Sequence, residues 1–351
     1  MGIGYSISHM TEFSFRVLRR LADGEFHSGA ALARALGVSR GTVWNAVHAL
    51  ESSGLTVYKV RGRGYRLPAA VSLLDRTAIL RQGGVRASRF EIEIVEEIES
   101  TSTALIQRAA AGAAAGTVIA AEWQTRGRGR FGRSWHAELG GALTFSLLWR
   151  FAQGAGALAG LSLAAGVALI RALTTLGAAE IRLKWPNDVI WRGEKLAGML
   201  IEMQGDALGP SAAVIGIGLN VRLSEAARKV IGQPAVDLET ACGRALDRSE
   251  VLGLVLGELA HVLDQFSIEG FAPLRAEWER YHAYQNQPIE VMLPDGCAER
   301  GIARGVAEDG ALLFETGSGV RRLHSGELSV RAAPRTTRGA APRAADVRRP
   351  A

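Results

Sequence analysis

Cysteine is nearly missing from this chain. There are two in 351 residues, Cys242 and Cys297, far apart and in no C-x-x-C pair. That spacing excludes a disulfide framework and a cysteine-held zinc site, and it points to a reducing cytosol. No signal peptide is expected either, since Met1–His9 has no charged n-region and no apolar h-region. The longest apolar run, Ala155–Ile170, is rich in Ala and Gly and stops at Arg171. It is shorter than the ~18 apolar residues a membrane span needs, so it reads as a buried helix, with no membrane partner. Paired carboxylates in a metal-binding context are also wanting, so no metal site built by the protein alone is expected.

What is present is the composition of a soluble globular protein, 48% hydrophobic and 22% charged. The length allows two or three domains. The net charge of +6 is unevenly spread: residues 10–68 hold nine Lys/Arg against four Asp/Glu, and residues 332–351 hold five Arg against one Asp. A basic N-terminal segment on a near-neutral body points to nucleic acid there and not throughout.

In chain order, Phe13, Val17, Leu18 and Leu21 fall at helical spacing before Asp23-Gly24. Ser28 is placed to cap a short helix that ends at Leu36, with Gly37 as its turn. Ser39 caps a third helix. Val43, Val47 and Leu50 would face inward there, leaving Arg40, Thr42, Asn45 and His48 outside. Two short strands, Thr56–Val60 and Tyr65–Leu67, are joined by Arg61-Gly-Arg-Gly64. This is a helix-turn-helix with a wing. A polar third helix suits the major groove and an Arg-Gly wing suits phosphates, so Ser39, Arg40, Thr42, Asn45, Arg61 and Arg63 are the candidate DNA contacts. The competing reading is a winged helix used only for protein contacts.

Pro68-Ala-Ala reads as a linker. Beyond it come strands Glu91–Ile98 and Thr117–Trp123, with a helix capped near Ser100 or Thr101 between them. Strand Leu143–Trp149 follows, then a long helix Leu158–Leu176, and strands Ile181–Lys184, Lys195–Glu202 and Ala213–Asn220. Helices near Glu250–Phe266 and Phe271–Tyr284 complete an α+β pattern. From Pro288 to Arg331 the chain has short strands and Asp295-Gly296, Asp309-Gly310 and Gly317-Ser-Gly319 turns, which reads as a small β-barrel or sandwich. The expected division is 10–68, 69–285 and 286–331, with 332–351 a disordered Ala/Pro/Arg tail.

Three stretches carry the chemistry. The first runs from Glu122 to Trp135 and places Arg126, Arg128, Arg130 and Arg133 among Gly127, Gly129 and Gly132. Glycine lets backbone approach a ligand, and arginine forks fit carboxylate and phosphate oxygens. The stretch also matches G-x-G-x-x-G, but a strand follows it where a dinucleotide turn needs a helix. A solvated basic loop or a nucleic-acid patch stays open on these residues alone. The second stretch is Lys184-Trp-Pro-Asn-Asp188 with Lys195-Leu-Ala-Gly198, and the third is Gly216-x-Gly218-x-Asn220. A lysine opening an apolar strand calls for an anion, yet Lys195 could equally snorkel at an edge. Lys184 and Asp188 could simply pair, and the glycines could serve only close packing.

Taken together, the winged helix, Glu99-Ser-Thr101, the Arg-Gly loop ending in Gly132-Arg-Ser-Trp135, the lysine motifs, Gly216-x-Gly218-x-Asn220 and a closing Gly326-Glu-Leu-Ser-Val-Arg331 appear in order from about Phe13 to Arg331. In this the chain resembles the bifunctional biotin protein ligase and biotin operon repressor family. The resemblance implies a central mixed α/β catalytic domain related to class II synthetase-like ligases and a small SH3-like β-barrel at the C-terminal end. It implies biotin and ATP as substrates with Mg2+, and biotinyl-5′-AMP as the intermediate. A lysine of biotin carboxyl carrier protein would be the acceptor, with an adenylate-bound homodimer on operator DNA of a biotin operon.

By the same resemblance, Ser100, Thr101, Ser102, Gln124, Arg128, Gly129, Arg130, Lys195 and Gly198 would bind biotin. Arg128, Arg130, Arg133, Trp135, Asn187, Asp188, Asn220 and Arg331 would serve the nucleotide, and Arg130, Lys195 and Lys184 would be catalytic. The family usually has Asn where this chain has Ser102. Other classes are a transcription factor that senses a small acid without turnover, a lipoate-type acyl ligase, and a nucleic-acid-processing enzyme. The intact lysines and arginines argue against the first, the winged helix against the second, and the missing carboxylate pair against the third.

Overall fold

The computed structural model describes residues 10–205, 209–293, 297–324 and 329–332. The segment Met1–His9, the Asp295-Gly296 turn, Gly326–Leu328 and the tail beyond Ala332 therefore lie outside the described residues. The first three helices are α1 (Glu12–Leu21), α2 (Gly29–Leu36) and α3 (Arg40–Ser52). Thr11, Ser28 and Ser39 each accept a backbone N–H with the side chain, satisfying donors a helix start leaves open. Phe15, Val17, Leu18, Leu32, Val43, Val47 and Leu50 form their shared core. The wing is shorter than the sequence suggests: β1 is Tyr58–Val60 and β2 is Gly64–Arg66. Val57 and Leu67, expected inside the strands, instead turn into the core.

The expected linker after Pro68 is a bound strap. Val71 donates to the Ala22 carbonyl, and Arg222 donates to Ala70 O. Arg248, 1% exposed, donates to Ser72 O and Ala142 O and pairs with buried Glu122, whose other oxygen accepts from Leu74 N. A charge this deep is tolerable because each of its three nitrogens donates to a partner, one of them a carboxylate. Next comes a helix that periodicity missed, α4 (Arg76–Ala87). It is kinked at Gly84, where φ is 60° and ψ is −156°, and Gly83 lets it cross closely over a later helix: a Cβ there would lie 2.6 Å from Gly253 O.

The central sheet contains β3 (Glu91–Ile98), β4 (Thr117–Gln124), β7 (Ala142–Phe151), β8 (Ile181–Lys184), β9 (Asp188–Trp191), β10 (Glu194–Gly205) and β11 (Ser211–Asn220). Between β4 and β7 lies a small ribbon of β5 (Gly127–Arg128) and β6 (Ser134–Trp135). The strand order is β3-β4-β7-β11-β10-β9-β8, and only β3–β4 is parallel. Helix α5 (Thr101–Ala110) packs Leu105 and Ala109 against Ile119, Leu148 and Val214 on one face. Helix α6 (Leu161–Thr175) covers the other face, where Leu147 and Ile215 point. Alternation along each strand thus feeds two cores.

Two short helices that the sequence did not announce, α7 (Glu225–Ile231) and α8 (Leu238–Cys242), precede α9 (Arg248–Glu269). The expected helix at Phe271–Tyr284 is a 3-10 turn and then α10 (Arg275–Tyr281). The segments 155–175 and 248–269 are long and apolar enough to cross a membrane, but more than half of each apolar window is buried inside this fold.

The C-terminal sheet is β12 (Pro288–Met292), β13 (Ala298–Val306), β14 (Leu312–Thr316), β15 (Gly319–Leu323) and β16 (Ser329–Ala332), all antiparallel in the order β15-β14-β13-β12-β16. Its apolar side, Ile289, Val291, Leu312, Phe314 and Val330, joins the main core. Trp185 ties the two together by donating to Gly310 O at 3.0 Å.

Candidate active site

Trp135 sits at the end of the Arg-Gly loop. In the loop, Arg128 pairs with Ser134 and Gly127 with Trp135, and a tight turn spans Arg130–Gly132. A Cβ on Gly127 would lie 2.5 Å from Trp135 O, so glycine is needed for the ribbon to close. Phe131 holds a positive φ of 58° at the tip and is 51% exposed. The Trp135 indole is pressed onto the backbone at Gly218, where a Cβ would lie 2.3 Å from the ring, and a Cβ at Gly198 would crowd both Lys195 at 3.1 Å and the indole at 3.3 Å. The G-x-G-x-x-G match is therefore a lid over a sheet and does not open a helix.

Beneath the loop is a cavity of about 180 Å³. One end is polar and uncharged. Ser100 caps α5, accepting from Thr103 N. Thr101 donates to Gln124 Oε1 through its amide at 2.7 Å and its hydroxyl at 3.0 Å. Ser146 Oγ lies 2.8 Å from Thr101 Oγ1 and 3.0 Å from Ser102 Oγ. Ser146 was missed because it sits inside an apolar strand. The available signal was a hydroxyl at the middle of Leu143–Trp149. Gly216 leaves the room that Ser102 Oγ fills.

The other end is cationic. Lys184, Lys195, Arg130, Arg133 and Arg331 all line it, with Asp188 the only carboxylate among the lining residues. Lys195 Nζ lies 2.8 Å from Asp188 Oδ1 and faces the Trp135 ring at 5.7 Å. The close partner of Asp188 is thus Lys195, across β9–β10, and not Lys184. Burial pulls the Lys184 ammonium below the ordinary lysine range. Asp188 opposes this, while Lys195, Arg331 and Arg133 add to it. Arg130 is also pushed down by burial, and it donates to Asn187 Oδ1 at 3.2 Å. Asn187 in turn donates to Met199 O at 2.6 Å. Burying cations together is unfavourable unless an anion joins them.

Not every expected residue arrives. Gly129 and Gly198 line the cavity, but Arg128, which also reaches it, holds Glu202 with both nitrogens at 2.7 and 3.2 Å. Asn220 is off the wall. It donates to Val236 O and to Lys195 O, so it anchors the backbone that presents Lys195. Residues not anticipated on the wall are Phe131, Phe145, Met199, Leu200, Gln233 and Val330. In the winged helix, Arg40, Asn45, Arg61 and Arg63 are exposed, Ser39 caps α3 and its Oγ meets Thr42 Oγ1 at 2.9 Å.

Residues 94–220 match the biotin/lipoate A/B protein ligase family, 14–66 an HTH domain, and 285–331 the biotin protein ligase C-terminal domain. The chain is 36% identical to the bifunctional ligase/repressor BirA of Escherichia coli, over 91% of this chain and 97% of that protein. It is 34% identical to the biotin–[acetyl-CoA-carboxylase] ligase of Paracoccus denitrificans, over 66% of this chain and 96% of that one. The solved biotin protein ligase of Aquifex aeolicus in complex with biotin and ATP superposes with a TM-score of 0.60 at 29% identity. That match covers 69% of this chain and 99% of the other.

Proposed function

The chain belongs to the bifunctional biotin ligase and repressor family, and on that premise we propose that it joins biotin to ATP and passes the acyl group to a lysine of biotin carboxyl carrier protein. The observation that carries this reading is a cavity with an uncharged polar end and a five-cation end facing a single carboxylate. Biotin offers a polar ureido ring and a carboxylate, and ATP offers a polyanion.

In the first step a biotin carboxylate oxygen attacks the α-phosphorus and pyrophosphate leaves. Lys195 and Arg130 hold the carboxylate and α-phosphate, while Lys184, Arg133 and Arg331 offset charge on the departing phosphates. Ser100, Thr101, Ser102, Gln124, Gly129 and Gly198 receive biotin. Arg128 joins once it leaves Glu202, and Asn187, Asp188 and Trp135 line the nucleotide side. Asn220 acts through the Lys195 backbone. In the second step the acceptor amine attacks the acyl carbon, AMP leaves and the amine loses a proton. Trp135 and the loop keep water from the mixed anhydride until then.

Mg2+ fits as a companion of ATP. Among the described residues no three His, Cys, Asp or Glu side chains cluster. Asp188 alone suits a cation that keeps its waters and rides on phosphates. The winged helix binds operator DNA, and the loaded protein does so as a homodimer in the cytoplasm. The domains are taken as 10–68, 69–285 and 286–331.

The test is label transfer from biotin to a carrier domain by the purified chain with MgATP. ATP-dependent transfer to the carrier lysine supports the reading. Tight biotin binding without transfer favours a sensor that does not turn over.

A further inference from the structure

The face of α3 that turns away from the core is polar apart from one residue. Trp44 is 50% exposed, while Val43, Ala46 and Val47 beside it are at most 4% exposed. It belongs to neither core cluster. Four-residue spacing lines up Arg40, Trp44 and His48 along the helix, with Asn45 adjacent. The His48 ring meets the indole edge-on, 4.6 Å between centroids at 73°. His48 Nδ1 lies 3.6 Å from Glu51 Oε2, and that oxygen accepts from Lys59 Nζ on the wing at 2.7 Å. The indole is thus buttressed on one side and open on the other.

A large apolar ring held rigidly in water is unfavourable until something covers it. The domain's excess of nine cations over four anions favours a polyanion as the cover. In the major groove the apolar feature a base pair offers is the thymine 5-methyl group. We propose that Trp44 is a specificity-determining DNA contact of this chain, reading thymine methyl groups while Arg40 and Asn45 read polar base edges. This rests on the DNA-binding reading above and names a contact within it.

The full chain, loaded with biotin and MgATP, is used to select a duplex from a random pool. Binding is then measured to that duplex and to copies in which each thymine in turn is replaced by deoxyuridine, which removes only the methyl. Wild type loses roughly fourfold at each contacted position, the value of burying one methyl-sized group. Trp44→Ala loses a similar factor on the thymine duplex and shows no further loss with deoxyuridine, while Trp44→Phe keeps part of the preference. The salt dependence of Trp44→Ala matches wild type, since no phosphate contact is removed. Carrier labelling by both variants stays at the wild-type level, and the unchanged salt slope reports that the winged helix still folds and docks. Equal binding of the thymine duplex by wild type and Trp44→Ala overturns the proposal. So does an undiminished deoxyuridine penalty in Trp44→Ala. If wild type labels carrier protein yet selects no sequence, the DNA reading itself fails and takes this contact with it.

Discussion

Two loops of this chain share a composition and meet opposite fates. The wing carries Arg61-Gly-Arg-Gly64, and the pocket lid carries Arg126 to Arg133 with three glycines. In the wing the arginines stay at the surface. Arg61 is exposed and Arg63 stacks on Phe26 at 4.1 Å. Gly64 is confined because a Cβ would strike the His27 backbone, and its φ is 104°. In the lid, Arg130 is half-buried against Asn187, and Trp135 is pressed onto Gly218. The difference lies in what stands behind each loop. The wing is backed by one small domain and faces water, so its charge acts over about a Debye length and is screened by salt. The lid is backed by a broad sheet, so its arginine is desolvated and its charge becomes worth most when a specific anion arrives.

The comparison can be broken first at the lid's floor. Lys195→Ala is expected to cut pyrophosphate release by about 10²–10³-fold, the scale of one lost charge-stabilising group. Its circular dichroism and melting temperature stay close to wild type, and normal pyrophosphate release would remove Lys195 from the chemistry. Arg130→Gly opens the lid itself. The adenylate then escapes, and bystander lysines in a lysate become labelled on the order of tenfold more, as loss of roughly 1.4 kcal/mol of closure implies. An unchanged labelling pattern would show that Arg130 does not retain the intermediate.

Gly218→Ala inserts a methyl under Trp135. A penalty of about 1–3 kcal/mol for overpacking predicts roughly a tenfold rise in the biotin KM, with DNA binding intact. pH sharpens the contrast further. Lys184 titrates below an ordinary lysine because burial disfavours its charge. Between that lowered value and the ordinary one, the empty fold binds fewer protons than the unfolded chain, so its stability rises with pH. Adenylation needs the charged form and falls over the same window. Parallel slopes in melting temperature and adenylation rate would contradict the assignment. The smallest effect belongs to the wing: Arg61→Ala lowers the salt slope of DNA binding by about one and leaves ligation unchanged.

The legible parts were those written in local pattern. Thr11, Ser28 and Ser39 as caps, Val43 and Val47 as core, and the strands around Leu143–Trp149 and Ala213–Asn220 follow from spacing that needs no distant partner. Helix α4 was illegible because Gly84 does kink it, and Gly83 makes sense only once Gly253 is found opposite. Ser146 was illegible because a buried hydroxyl looks apolar until Thr101 and Ser102 come to meet it. The strap at residues 70–75 looked like a linker because Arg248 and Glu122, which bind it, lie far along the chain.

By itself, then, the sequence determined the three-part order, the helix starts, the glycine-dependent ribbon and which cations line the cavity. Only the tertiary structure decided that Lys195 and not Lys184 sits closest to Asp188, that Asn220 holds backbone instead of lining the cavity, and that Arg128 is held by Glu202. These are choices among partners 7 to 74 residues apart. Chain spacing sets which side chains share a face, but burial and distance across strands set which charges meet.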